Sequence, residues 1–123
     1  MIRVLIADDH PIVRSGLKEL LVRNLESVVC GEAANAEQAL DQVHHHPWDV
    51  LILDINMPGR SGFDILNDVK LAQPKLPILV LSVHPEEQYA MRVLQAGASG
   101  YITKIRAPHE LVEAVKKVLS GGK

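Results

Sequence analysis

Three aspartates, a serine and a lysine carry the chemistry open to this sequence. Asp8 and Asp9 stand together near the start, Asp54 follows one short apolar run, Ser82 another, and Lys104 a third. Two unit charges ~4 Å apart repel by about 4 kcal/mol at an effective dielectric of ~20. A fold that gathers Asp8, Asp9 and Asp54 at one edge therefore needs a compensating cation. A hard divalent ion suits oxygen ligands, and Mg2+ suits this set because it keeps several waters and takes few protein oxygens. Lys104 would add an ammonium and Ser82 a hydroxyl. Together these groups make a cradle for phosphoryl transfer, where catalysis is mostly positioning and charge stabilisation. Asp54 is the expected nucleophile, giving an acyl phosphate. Asp8 and Asp9 are the expected Mg2+ holders, directly or through water, joined by Asp54 itself and the backbone carbonyl of Asn56.

These residues can meet only if the intervening chain brings their ends to one place. Short apolar runs alternate with amphipathic ones along the whole sequence. Strands are expected at residues 2–7, 28–32, 50–53, 78–81 and 101–103. A first helix is expected at 11–24, with Pro11 in its first turn and Val13, Leu17, Leu20 and Leu21 on one face. Asn35 is placed to cap a second helix carrying Ala36, Ala39, Leu40 and Val43, and Ser61 a third carrying Ile65, Leu66, Val69 and Ala72. Pro85 is expected to open a fourth helix that closes near Gly97, and Pro108 a fifth that carries Leu111, Ala114, Val115, Val118 and Leu119. Five strand–helix pairs with right-handed crossovers predict a doubly wound α/β fold: a five-stranded parallel sheet, flavodoxin-like, in the order 2-1-3-4-5. Such sheets bind ligands outside the carboxyl ends of their strands, where strand order reverses. Asp8-Asp9, Asp54, Ser82 and Lys104 all fall at such ends.

Composition bounds the alternatives. The 123 residues suit one domain and are too few for an eight-stranded barrel of ~250. A net charge of -2 argues against this chain gripping nucleic acid by itself. No apolar run reaches the ~20 residues of a membrane span and no signal peptide is visible, so a soluble cytoplasmic protein is expected. The single cysteine, Cys30, excludes an internal disulfide and is expected to be a small buried residue.

The chain resembles, over nearly its whole length, the receiver domain of bacterial two-component response regulators. The resemblance rests on Asp8-Asp9 after strand one, Asp54-x-x-Met57-Pro58-Gly59 after strand three, Ser82 after strand four, and Gly100-Tyr101-Ile102-Thr103-Lys104 at strand five. It implies that Asp54 accepts phosphate from a histidine of a sensor kinase, that Asp9 ligates Mg2+ with Asp8 close behind, and that Lys104 binds a phosphate oxygen. Ser82 would swing toward the phosphate and Tyr101 would rotate inward, passing the signal to the face of helix four, strand five and helix five. Asn56 and His84 would tune the lifetime of the phosphate. The domain would be regulatory rather than an enzyme. The run Gln95-Ala96-Gly97-Ala98-Ser99-Gly100-Tyr101 and the closing helix resemble the subfamily that carries a LuxR-type helix-turn-helix output domain. On that reading residues 1–120 are the receiver, 121–123 begin a linker, and DNA is reached only through a domain absent from this chain. Homodimerisation on phosphorylation is left open. Two features depart from the common pattern: Ile105 follows Lys104 where proline is frequent, so a cis peptide is not expected there, and Ser82 stands where threonine is more common.

Blander and rival readings stand beside these. Asp8-Asp9 could serve the start of the first helix, Asp54 could open a turn before Pro58-Gly59, and Tyr101 could be static packing. His44-His45-His46 reads as a solvated helix end, since sequence neighbours diverge on a helix. His10 adjoins the acidic pair, but imidazole does not suit Mg2+. Trp48 reads as loop packing before strand three. A small phosphatase using an aspartyl phosphate would need a second acid where Asn56 stands. A nucleotide binder would need a Gly, Ser or Thr-rich loop where Asp8-Asp9-His10-Pro11 stands. A receiver reduced to an interaction module would have shed residues that are all here.

Overall fold

A computed structural model of the chain describes residues 1–59, 61–84 and 86–121. Five strands alternate with five helices: β1 Ile2–Ala7, α1 Pro11–Asn24, β2 Val28–Ala33, α2 Ala36–His45, β3 Val50–Asp54, α3 Gly62–Ala72, β4 Ile78–Ser82, α4 Glu86–Gln95, β5 Gly100–Thr103 and α5 Ala107–Leu119. All strand pairs are parallel and the sheet order is β2-β1-β3-β4-β5. The expected class and order are those observed.

Strand alternation divides the core into two layers. Val4 and Ile6, Val50 and Ile52, Leu79 and Leu81, and Ile102 face α1 and α5, where they meet Leu17, Leu21, Leu111, Val115 and Val118. Leu5 and Ala7, Leu51 and Leu53, and Ile78 and Val80 face α2, α3 and α4, where they meet Ala39, Val43, Ile65, Leu66, Val69 and Val93. Successive strand residues point to opposite faces, so a strand covered on both sides must be apolar throughout. Every residue of β3 and β4 is buried, and all but the last of each, Asp54 and Ser82, are apolar.

The helix ends follow local chemistry. Pro11 sits in the first turn of α1. Asn35 caps α2 by accepting from the Gln38 N–H, and Ser61 caps α3 by accepting from the Phe63 N–H. Gly97, at φ +110°, follows the end of α4. The expected opening of α4 at Pro85 and the last two residues of the expected linker fall outside the described residues. No peptide bond among the described residues is cis, including Lys104–Ile105.

Several expectations need adjustment, among them that β5 begins one residue earlier, at Gly100, and that α5 begins at Ala107 with Pro108 in its first turn. β3 and β4 each run one residue further than the apolar pattern suggested, so Asp54 and Ser82 are the last residues of their strands. β2 extends to Ala33. Cys30 is half-buried rather than buried, because β2 is an edge strand covered incompletely by α1. Burial still pushes its thiol pKa up, only partly offset by Lys18.

Candidate functional site

The strand register sets the site. Ala7 is level with Leu53, Asp54 with Leu81, and Ser82 with Thr103, so β1, β3, β4 and β5 end together. Asp8 and Asp9 leave β1, Asp54 ends β3 between β1 and β4, Ser82 ends β4, and Lys104 leaves β5. Asp8, Asp54 and Ser82 are fully buried. Single carboxylate oxygens of Asp8, Asp9 and Asp54, with a ring nitrogen of His10, all lie within 4.8 Å of one another.

One ammonium serves two of these acids. Lys104 Nζ donates to Asp54 Oδ2 at 3.1 Å and lies 3.2 Å from Asp8 Oδ2. The other Asp54 oxygen, Oδ1, accepts the Asn56 backbone N–H at 2.8 Å. Burial raises the Asp54 pKa above its ordinary value; the Asn56 N–H and Lys104 pull it down, Asp8 pushes it up, and the balance stays upward. Burial would lower the Lys104 ammonium, but Asp54 and Asp8 outweigh it and hold the group above its usual value. The Asp54 shift reports chiefly its burial, and the Lys104 shift reports the two acids that face it.

Two buried oxygens at this edge, Asp8 Oδ2 and Asp9 Oδ1, receive no hydrogen bond, although Asp8 Oδ2 is within ion-pair range of Lys104. Buried polar atoms are normally satisfied. An unsatisfied, all-oxygen donor set of carboxylates is what a hard divalent cation takes, so the residues present fit Mg2+.

Neither acid caps α1. Asp8 Oδ1 instead accepts the His10 backbone N–H at 2.8 Å and faces His10 Nδ1 at 3.1 Å, while Asp9 Oδ1 lies 3.3 Å from that same nitrogen. His10 is thus bound to the acidic pair, which its neighbourhood in sequence hinted at. Arg14 was not foreseen. Its guanidinium pairs with Glu32 at 3.0 Å and donates to the Asp8 carbonyl at 2.6 Å, pinning the β1–α1 turn. The only sequence signal was its place in the first turn of α1, above the end of β1.

The β4–α4 side is held by hydrogen bonds. Ser82 Oγ donates to Asn56 Oδ1 at 3.2 Å and accepts the His84 N–H at 3.0 Å. The Val83 N–H donates to the same Asn56 oxygen at 3.1 Å. Tyr101, half-buried, donates its hydroxyl to the His84 carbonyl at 2.8 Å. A cavity of about 300 Å³ opens beside these groups, lined among others by Asn56, Met57, Phe63, His84 and Tyr89. The His84 and Phe63 rings flank Tyr89, and the Arg92 guanidinium stacks 4.6 Å above Phe63. Gly62 lets α3 start against Ile55, since a Cβ there would overlap the Ile55 side chain.

Comparison with known proteins decides the family. Residues 4–116 match the response regulator receiver domain. The chain belongs to the response regulator receiver domain family. It is 39% identical over 121 residues to the transcriptional regulatory protein DegU of Brevibacillus brevis, covering 98% of this chain and 51% of that protein. It is 37% identical to the response regulator UvrY of Escherichia coli strain K12, covering 98% of this chain and 56% of that one. The receiver thus spans about half the length of these curated relatives. Among solved structures, a two-component response regulator of the LuxR family from Aurantimonas sp. SI85-9A1 superposes with a TM-score of 0.90 at 34% identity, covering 98% of this chain and 86% of that one. The isolated REC domain of RcsB from Salmonella enterica serovar Typhimurium gives 0.90 at 32%, covering 99% and 91%. A receiver is a regulatory domain, and the named relatives are response regulators and a transcriptional regulator. Among the described residues no helix is long and apolar enough to cross a membrane.

Proposed function

We propose that this receiver accepts a phosphoryl group on Asp54 from a phosphohistidine of a sensor kinase, and promotes no reaction beyond its own phosphorylation and dephosphorylation. The observation that carries the reading is the buried Asp54 carboxylate, centred between Asp8, Asp9 and Lys104 with its oxygens within reach of theirs. An Asp54 oxygen attacks phosphorus; the new P–O bond forms as the P–N bond breaks, and the imidazole leaves with the bonding pair and later takes a proton. Lys104, already held between Asp8 and Asp54, pairs with an oxygen of the arriving group. The Asn56 N–H holds the carboxylate in place. Asp8, Asp9, Asp54 and the Asn56 carbonyl would hold Mg2+, which when bound supplies charge stabilisation to the phosphoryl oxygens. Ser82 provides a hydroxyl to the phosphorylated state, Tyr101 follows it, and Asn56 and His84 set how long the phosphate persists.

Ile12 and Ile105 flank this edge and are 87% and 86% exposed, offering an apolar rim to the kinase. The RcsB domain cited above was solved with the phosphomimetic BeF3-, which supports the same chemistry here at 32% identity. Residues 1–120 form the receiver, and 121–123 begin a linker to a LuxR-type DNA-binding output domain. DegU is a transcriptional regulatory protein, and this chain covers only 51% of DegU and 56% of UvrY, which supports that placement in transcriptional control. The test is intact mass after incubation with acetyl phosphate. Label is expected with Mg2+, and none with EDTA or in Asp54→Asn. A phosphoryl mass increment retained by Asp54→Asn overturns the assignment.

A further inference from the structure

The hydroxyl that phosphorylation needs is already engaged. Ser82 Oγ is buried and spends its single proton on Asn56 Oδ1. Asn56 Oδ1 also accepts the Val83 N–H, so one side-chain oxygen from the β3–α3 loop holds two donors, the last residue of β4 and the first of the loop that follows it. The arrangement continues: His84 N–H donates to Ser82 Oγ, and the His84 carbonyl accepts from Tyr101. Asn56, Ser82, His84 and Tyr101 thus form one run of hydrogen bonds from the residue two past Asp54 to β5.

We infer that the Asn56 side chain is a latch: it holds the Ser82 hydroxyl away from Asp54 in the unphosphorylated domain, and the phosphoryl group must win that hydroxyl from it. This rests on the reading of Asp54 as the phosphoacceptor and goes beyond it. A serine hydroxyl has one proton to donate. It cannot serve Asn56 and a phosphoryl oxygen at once, so the two states compete for it. A ligand shifts such an equilibrium only by its differential interaction with the two states. The Ser82–Asn56 bond exists in one state alone and therefore opposes phosphorylation. The Val83–Asn56 bond involves no group that the phosphoryl takes, so it need not break. Asn56 acts through Ser82 and is a positioning residue.

The loss of one such bond predicts a modest, signed effect. Asn56 is exposed, so Asn56→Ala removes little packing and folds. Its free state no longer retains Ser82, and its affinity for BeF3- at saturating Mg2+, read by 19F NMR, is expected to rise about five-fold. Saturating Mg2+ keeps metal affinity out of the comparison. In a Ser82→Ala background the same substitution is expected to change the affinity by less than about two-fold, because the group through which it acts is gone. Weaker or unchanged BeF3- binding by Asn56→Ala overturns the latch, as does an equal gain in the Ser82→Ala background. Failure of the unaltered domain to take BeF3- at all overturns instead the reading of Asp54.

Discussion

Lys104 answers two buried carboxylates with one charge, and its removal has a signed consequence. Lys104→Met leaves Asp8 and Asp54 without their shared ammonium. Breaking a fully buried pair costs ~3–5 kcal/mol; Lys104 keeps 18% of its side chain exposed, so about 1–3 kcal/mol is expected in EDTA. Mg2+ should shrink that loss, since it faces the same acids. Urea unfolding with and without Mg2+ measures both, and equal losses contradict the account. Asp54 gives a pH prediction. Its folded pKa is raised, chiefly by burial, above the ordinary 3.8. The stabilisation it contributes is therefore full below that ordinary value and is lost as pH rises through the raised one. In EDTA, Asp54→Asn should match the parent in acid and melt higher at neutral pH; coincident melting curves at pH 7 contradict this. Asp8, Asp9, Asp54, Ser82 and Lys104 could be read from the sequence because each follows an apolar run whose end the fold must place. Arg14 and the Asn56 side chain could not. Their partners are a backbone carbonyl and a hydroxyl 26 residues away, and no periodicity encodes such contacts.

Edge strand β2 depends on one glycine. The Trp48 ring lies over Gly31 so closely that a Cβ there would overlap it, while the indole N–H donates to the Gln42 carbonyl at 3.0 Å. Gly31→Ala must displace the ring, and overpacking of this kind costs ~1–3 kcal/mol. Because Trp48 is the only tryptophan, its fluorescence reads the displacement directly. An unchanged emission maximum together with unchanged stability would disprove the contact. Deeper in the fold, Leu111 of α5 is fully buried against β-strand residues. Leu111→Ala should cost about 2–5 kcal/mol by urea denaturation; a loss below 1 kcal/mol would show that α5 is poorly seated. The helices were legible from their 3.6-residue stripes and caps, and α1 begins and ends at the residues the pattern marked. Strand ends were less legible. Asp54 and Ser82 continue β3 and β4 as polar residues, and an apolar run cannot announce a polar last residue. Cys30 misled for a related reason, since an apolar β2 sequence does not reveal that only one side of the strand is fully paired.

At the scale of the molecule, the switch point between β1 and β3 concentrates negative charge, and a cation bound there should stabilise the whole domain. Binding to the folded state alone adds ~2.7 kcal/mol at 100 times Kd. For a domain of this size that is a rise of about 10 °C in Tm. Thermal melts across a Mg2+ series should show it, and Asp9→Ala should remove most of it. An Asp9→Ala domain that gains as much as the parent would place the ion elsewhere. The sheet order was legible because five strand–helix pairs and right-handed crossovers leave few arrangements. The local hydrogen-bond pattern was not, because it depends on which of several acceptors each donor selects after folding.

Asp54 and Lys104 touch across 50 positions of sequence, and β5, which delivers the lysine, pairs only with β4. The Asp54–Lys104 pair can therefore close only after β3, β4 and β5 have docked in register, so it reports completion of that half of the sheet.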